Sequence, residues 1–189
     1  MKVKDIILDV CKLLGYNELI IYLDNNSNLE IDNSSLQDLN LIELAVNMTN
    51  NIIASNYIEL LDDCDIVPKD NKVLFSQITT KNIIEIKNVK DMNGCEVDYS
   101  INSSGIVLDS SSTKLKITYS YFPSSVTVND DIDYYLKMNS LLFAEGVVSQ
   151  YLFLKGDTEN ACAWDKRFKN SLFVLLRPKR NIIMPSKRW

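Results

Sequence analysis

Apolar residues recur every three or four positions at the start of the chain. In VKDIILDVCKLLG, Val3, Ile6, Ile7, Val10, Cys11 and Leu14 share one helical face, and Gly15 follows as a left-handed stop. YNELIIYLD adds a short helical turn or two, and NNSNLEIDNSS, dense in Asn and Ser, reads as a loop. Ser34 and Gln37 then have the S-x-x-Q spacing of a capping box, in which hydroxyl and amide satisfy each other's exposed backbone donors. The long helix that follows takes its apolar side from Leu36, Leu39, Ile42, Leu44, Val46 and Ile53, and fades near Leu61, Asp62 and Asp63.

From about Cys64 the period changes. KVLFSQI, NIIEIKNVKD, CEVDYSI, IVLD and KLKITYSYF are short, alternating, β-rich runs separated by turn residues. Asn93-Gly94 is the strongest turn signal, because a two-residue type I′ hairpin needs positive φ at both central positions. Ser103-Ser104-Gly105 and Ser110-Ser111-Ser112 are the next two. Tight connections between five strands predict an antiparallel meander with one packed and one solvated face.

After Pro123 the helical period returns. DDIDYYLKMNSLLFAEGVVSQYLFLKG predicts a long helix capped by Asp130 or Asp131 and closed by Gly156. Asp157 or Thr158 then caps a last helix in which Ala161, Trp164, Phe168, Leu172 and Leu175 step by three or four residues. So short a turn makes the pair an antiparallel hairpin, whose inner face packs on the N-terminal helices. The predicted fold is therefore α+β. Residues 1–63 with 130–176 form an antiparallel helical bundle, 64–129 form an inserted antiparallel β-sheet domain, and 177–189 form an extended basic C-terminal arm.

Charge sharpens this division. The chain has 189 residues and a net charge of −5. Eight basic and no acidic residues lie from Lys166 onward, while residues 1–165 carry the other twelve basic residues and all twenty-five carboxylates. The arm, RPKRNIIMPSKRW, adds an apolar Ile182-Ile183-Met184 centre and Trp189 to this charge. A segment that only keeps a chain in solution has no use for such residues, whereas one that docks into a groove does.

Other chemistry is sparse. There is no histidine, so Ser-His-Asp and Cys-His arrangements are excluded. Cys11, Cys64, Cys95 and Cys162 have no CxxC spacing, and Cys11 and Cys162 read as small buried hydrophobes in a reduced protein. Five scattered glycines form no phosphate-binding loop. Asp62 and Asp63 in LLDDCD and Asp130 and Asp131 in VNDDID read as solvated helix ends in preference to an acid pair or metal site. DNNSNLEIDNSS lacks the sixth-position glycine and closing Glu of a calcium loop. Tyr119, Tyr121, Tyr134 and Tyr135 have acidic neighbours, which favours packing over base stacking. No apolar run approaches ~18 residues and no leader pattern opens the chain. The expectation is a protein without catalysis, cofactor, metal or membrane contact.

The order of these parts resembles the head-to-tail adaptor (connector) proteins of tailed bacteriophages. The resemblance runs from VCKLLGY through a β insertion ending in ITYSYFP to LLFAEGVVSQYLFLKGDTENACAWDKRFKNSL and the basic arm. It implies a structural virion protein of the neck, made in the host cytoplasm, whose copies assemble into a ring, generally twelve-fold, beneath the portal protein and next to tail or neck proteins. DNA would pass through the lumen without specific binding, and the acidic body would keep phosphates from adhering. The resemblance assigns Gly156, Ala161, Trp164 and Phe168 to the packing of the last hairpin. It assigns Arg177, Lys179, Arg180, Ile182, Ile183, Met184, Lys187, Arg188 and Trp189 to the portal-binding arm, with Pro178 and Pro185 stiffening it. The insertion is larger than in the simplest adaptors, so another neck or tail-tube component is one alternative. A nucleic-acid-binding module using the basic segment is another.

Overall fold

A computed structural model describes residues 1–24, 32–109, 114–132 and 138–177. The fold is α+β, with six helices and two three-stranded antiparallel sheets among these residues. Helix α1 (Val3–Leu14) buries Val3, Ile6, Ile7, Val10 and Cys11 and ends at Gly15 in the left-handed region. Helix α2 (Asn17–Asp24) continues from it and buries Leu19 and Leu23. The segment 25–31, most of the expected Asn- and Ser-rich loop, lies outside the described residues.

Helix α3 (Asn33–Asn56) differs from expectation at its start. Its cap is Asp32, whose carboxylate accepts from the Asn33 N–H at 2.8 Å and the Ser34 hydroxyl at 2.6 Å. An ionised oxygen at the positive end of a helix is a stronger acceptor than a hydroxyl, so Ser34 serves the cap instead of forming it with Gln37. Leu36 and Leu44 are exposed, and the buried face runs through Leu39, Ile42, Ala45, Val46, Thr49, Asn50, Ile53 and Ala54. Small residues were needed on that face because α5 lies close against it.

The β-rich unit begins at Leu61, ahead of the expected Cys64. Its strands are β1 (Leu61–Ile66), β2 (Lys72–Leu74), β3 (Ile83–Asp91), β4 (Tyr99–Ile101), β5 (Gly105–Leu108) and β6 (Leu115–Tyr121), with a helical turn α4 (Phe75–Ile78) after β2. LLDDCD is thus mostly edge strand and not a helix end. The order is no meander: one sheet runs β1-β6-β3 and the other β2-β5-β4. Pairing Leu61 with Ser120 across β1 and β6 brings entry and exit of the insertion side by side. This closure lets the unit interrupt a helical bundle without separating its halves.

Turn chemistry also differs. Gly94 has φ 82°, but Asn93 is not left-handed, so Asn93-Gly94 is no type I′ turn. Asp91 organises that loop, its carboxylate accepting from the N–H groups of Asn93 (2.8 Å) and Cys95 (2.9 Å). The two-residue turn with both central φ values positive is Asp70-Asn71, at 51° and 59°, closed by reciprocal backbone bonds between Lys69 and Lys72.

Helix α5 (Ser140–Leu154) starts eight or nine residues later than expected. Asn139 caps it, accepting from the Leu142 N–H at 2.8 Å. Asp130 instead closes a turn onto Thr127, and Asp131 bridges to Lys2. Residues 133–137, with Tyr134 and Tyr135, lie outside the described residues. Helix α6 (Thr158–Leu176) completes the bundle, and α5 is its central element, packed against α1, α3 and α6.

Candidate docking surface

The expected hairpin is present, and local chemistry builds it. Gly156 sits at φ 84°, a conformation that L side chains rarely adopt, and reverses the chain between α5 and α6. Asp157 then caps α6, its carboxylate accepting from the Asn160 N–H at 3.2 Å and side-chain amide at 2.7 Å. Ala161 and Phe168 are buried, as expected, and Leu172 continues their edge. Trp164 is half-buried against the bundle, with the Arg167 guanidinium 5.1 Å from its ring centroid.

A residue the sequence reading did not single out holds this arrangement. A Cβ on Gly146 would stand 2.8 Å from both Phe168 Cζ and Thr49 Cγ2, so α3, α5 and α6 meet where only glycine fits. Its signal was a mid-helical glycine in the apolar run FAEGVV, since glycine costs about 1 kcal/mol there unless something requires it. Glu145 beside it is buried and ion-paired to Arg167 at 2.7 Å, with the Ser171 hydroxyl donating at 3.3 Å. A second unpredicted network joins the α1–α2 turn, α3 and the C-terminal end of α5. The Tyr16 and Tyr151 hydroxyls lie 2.8 Å apart, Tyr151 donates to Asp38 at 3.0 Å, and Lys155 donates to the same carboxylate at 2.8 Å. Burial pushes the Tyr151 phenol far above its ordinary value, and the Asp38 hydrogen bond raises Lys155, so both keep their protons.

The outer side of the hairpin is different. Phe153, Phe173 and Val174 are 60%, 66% and 73% exposed. Phe173 and Val174 stand on the last turn of α6, which ends as the Arg177 N–H donates to the Phe173 carbonyl at 3.0 Å. An apolar base thus leads directly into the basic arm. Of the expected arm residues, only Arg177 is described, and it is exposed; Lys179, Arg180, Ile182, Ile183, Met184, Lys187, Arg188 and Trp189 lie outside the described residues.

The carboxylates of interest are engaged singly. Asp62 accepts from Lys81 at 2.8 Å, and that bond holds its carboxyl below the usual range. Asp63 is lowered first by the Thr118 hydroxyl at 2.6 Å and then by Lys116. Asp130 is lowered by the backbone N–H of Thr127. Among the described residues no group of three or more His, Cys, Asp or Glu could hold a metal ion, and no helix is long and apolar enough to cross a membrane. The cysteines are free. Cys11 is buried, which pushes its thiol up to about 12, whereas Cys162 is exposed, contrary to expectation, because it lies outside the Ala161–Phe168 edge. Tyr119 is buried and Tyr121 half-buried, their ring centroids 6.2 Å apart. No family model matches the chain, and no curated protein matches it.

Proposed function

We propose that this chain is a structural virion protein, a head-to-tail adaptor whose copies form a ring and dock onto the portal protein through residues 177–189. The observation that carries this reading is the handover at the end of α6. A hairpin clamped at Gly146–Phe168 presents exposed Phe173 and Val174 and continues into a segment of basic and apolar residues. A packed base that leads into a basic and apolar segment suits attachment to a preformed ring. The base sets the approach, and Ile182, Ile183, Met184 and Trp189 supply anchors that fill pockets while the arginines meet acidic rims. The β-rich unit, joined by adjacent strands and built on its own core cluster, suits contact with tail or neck proteins.

Removing residues 178–189 tests this. The shortened protein should keep the fold of the full chain but fail to enter particles, and cross-links from Lys179 and Lys187 of the full chain should reach one large ring-forming protein. Normal incorporation of the shortened protein would overturn the reading. The run of basic residues from Lys166 also favours a second reading, a nucleic-acid-binding module. Its affinity for DNA would fall steeply with added salt, whereas a portal-docking arm should bind little DNA at physiological salt.

A further inference from the structure

Helix α6 carries more than the base of the arm. Glu159, Cys162, Lys166, Lys169, Phe173 and Arg177 follow one another at spacings of three or four, and all six are exposed. At 100° per residue they form one continuous stripe beside the buried Ala161–Phe168–Leu172 edge. Near its N-terminal end the stripe borders a cleft of about 280 Å³ between α5 and α6, lined by Ser149, Gln150, Phe153, Ala161, Cys162 and Asp165. Near its C-terminal end it carries the exposed ring of Phe173. Cleft and ring are therefore about 16 Å apart along one side of one helix, at 1.5 Å per residue.

Charge divides the same way. Residues 157–165 hold Asp157, Glu159 and Asp165 and no base, whereas 166–177 hold Lys166, Arg167, Lys169 and Arg177 and no acid. This order also suits the helix dipole, which accounts for the charges but not for the exposed Phe153 and Phe173.

We propose that α6 pairs antiparallel with the α6 of a second copy of this chain. A two-fold axis near residue 168 sets Phe173 of each copy into the α5–α6 cleft of the other and Glu159 of each opposite Arg177 of the other. Because ring and cleft lie on the same side of one helix, a two-fold copy engages both in one contact and closes at two chains, whereas a head-to-tail neighbour engages one and needs a third copy for the other. At the axis Lys166 and Lys169 approach their counterparts. Lys169 is held by Asp165 at 2.7 Å, and long lysine stems can turn their charge to water. One helix flank is a small interface, so the pair is weak and reversible. Such a pair would cover the hairpin flank of free subunits, and it stands independently of whether the arm docks onto a portal, since it uses nothing beyond Arg177.

The full chain tests this, with Cys64 and Cys95 replaced by serine so that Cys162 is the one exposed thiol left. Sedimentation equilibrium should show a monomer–dimer equilibrium. Glu159→Arg and Arg177→Glu should each weaken it about tenfold, and combining them should restore it, a rescue that general damage to the fold would not give. Phe173→Cys, mildly oxidised, should give a species of two chains whose peptide map shows Cys162 of one joined to position 173 of the other. A monomer at every concentration up to about 1 mM, a double reversal as weak as either single change, or disulfide ladders longer than two chains would each overturn the closed pair. Shortening the chain at 178 should leave the pairing intact even where it abolishes docking, so the two proposals fail separately.

Discussion

The helical bundle and the β-rich unit solve the burial problem differently. Among the described residues the bundle's core cluster holds twenty-four buried residues, reaching from Val3 to Leu172, whereas the β cluster holds nine, among them Val73, Ile86, Leu115 and Ile117. In the bundle one helix, α5, is enclosed on several sides, with Phe143 through Ser149 all buried. The β unit has two small sheets and open edges, and strand β1 alternates exposed and half-buried positions along its whole length. Its edge carries Asp62, Asp63 and Asp65, paired with Lys81, Lys116 and Lys114. Charges on an exposed edge keep it from pairing with another chain, which a unit with so little core requires. Tyr121 packs against both clusters. Packing precision is concentrated in the bundle, which encloses α5 and the α5–α6 hairpin, and the β unit is the more permissive part.

That contrast can be broken most forcefully at Gly146. Gly146→Val should destabilise the bundle by about 3 kcal/mol, because its side chain must displace Phe168 and Thr49 together. Segment-resolved hydrogen exchange should show α3, α5 and α6 losing protection while β3, β5 and β6 keep theirs. Ile117→Val in the β core should show the reverse pattern at about 1 kcal/mol, with the bundle unaffected. If either change lowers protection equally in both units, they unfold as one and the contrast fails.

Acid gives a smaller, graded test. The carboxyls of Asp62 and Asp63 are held below their ordinary value by Lys81 and by Thr118 and Lys116 respectively. Folded values below the unfolded ones mean that their stabilisation is complete above about pH 4 and disappears as pH falls through the folded values. Below pH 4 the β unit should therefore lose protection, and Asp63→Asn should flatten this dependence. No change in protection between pH 5 and pH 3 would show that these pairs contribute nothing.

Much of the hairpin was legible because its determinants are local. Gly156, Asp157 and the Ala161–Phe168–Leu172 edge each lie within a turn or two of what they control, so sequence spacing and cap chemistry located them. The α1 stripe and its Gly15 stop were legible for the same reason. The exposed thiol of Cys162 and the exposed Leu36 and Leu44 were not, because periodicity marks an apolar side without saying how wide a neighbour covers it.

Residue order alone shows that a helical start, a β-rich insertion and a helical hairpin follow one another, and that an acidic body is joined to a basic, partly apolar segment. Those properties belong to short windows and to composition. It takes the folded chain to show that β1 pairs with β6, that Asp70-Asn71 makes the two-residue turn, that Gly146 receives Phe168, and that Tyr16, Asp38, Tyr151 and Lys155 meet. Most of these contacts join residues far apart in the chain. Their partners compete on packing and hydrogen bonding across the whole fold, which no local period records.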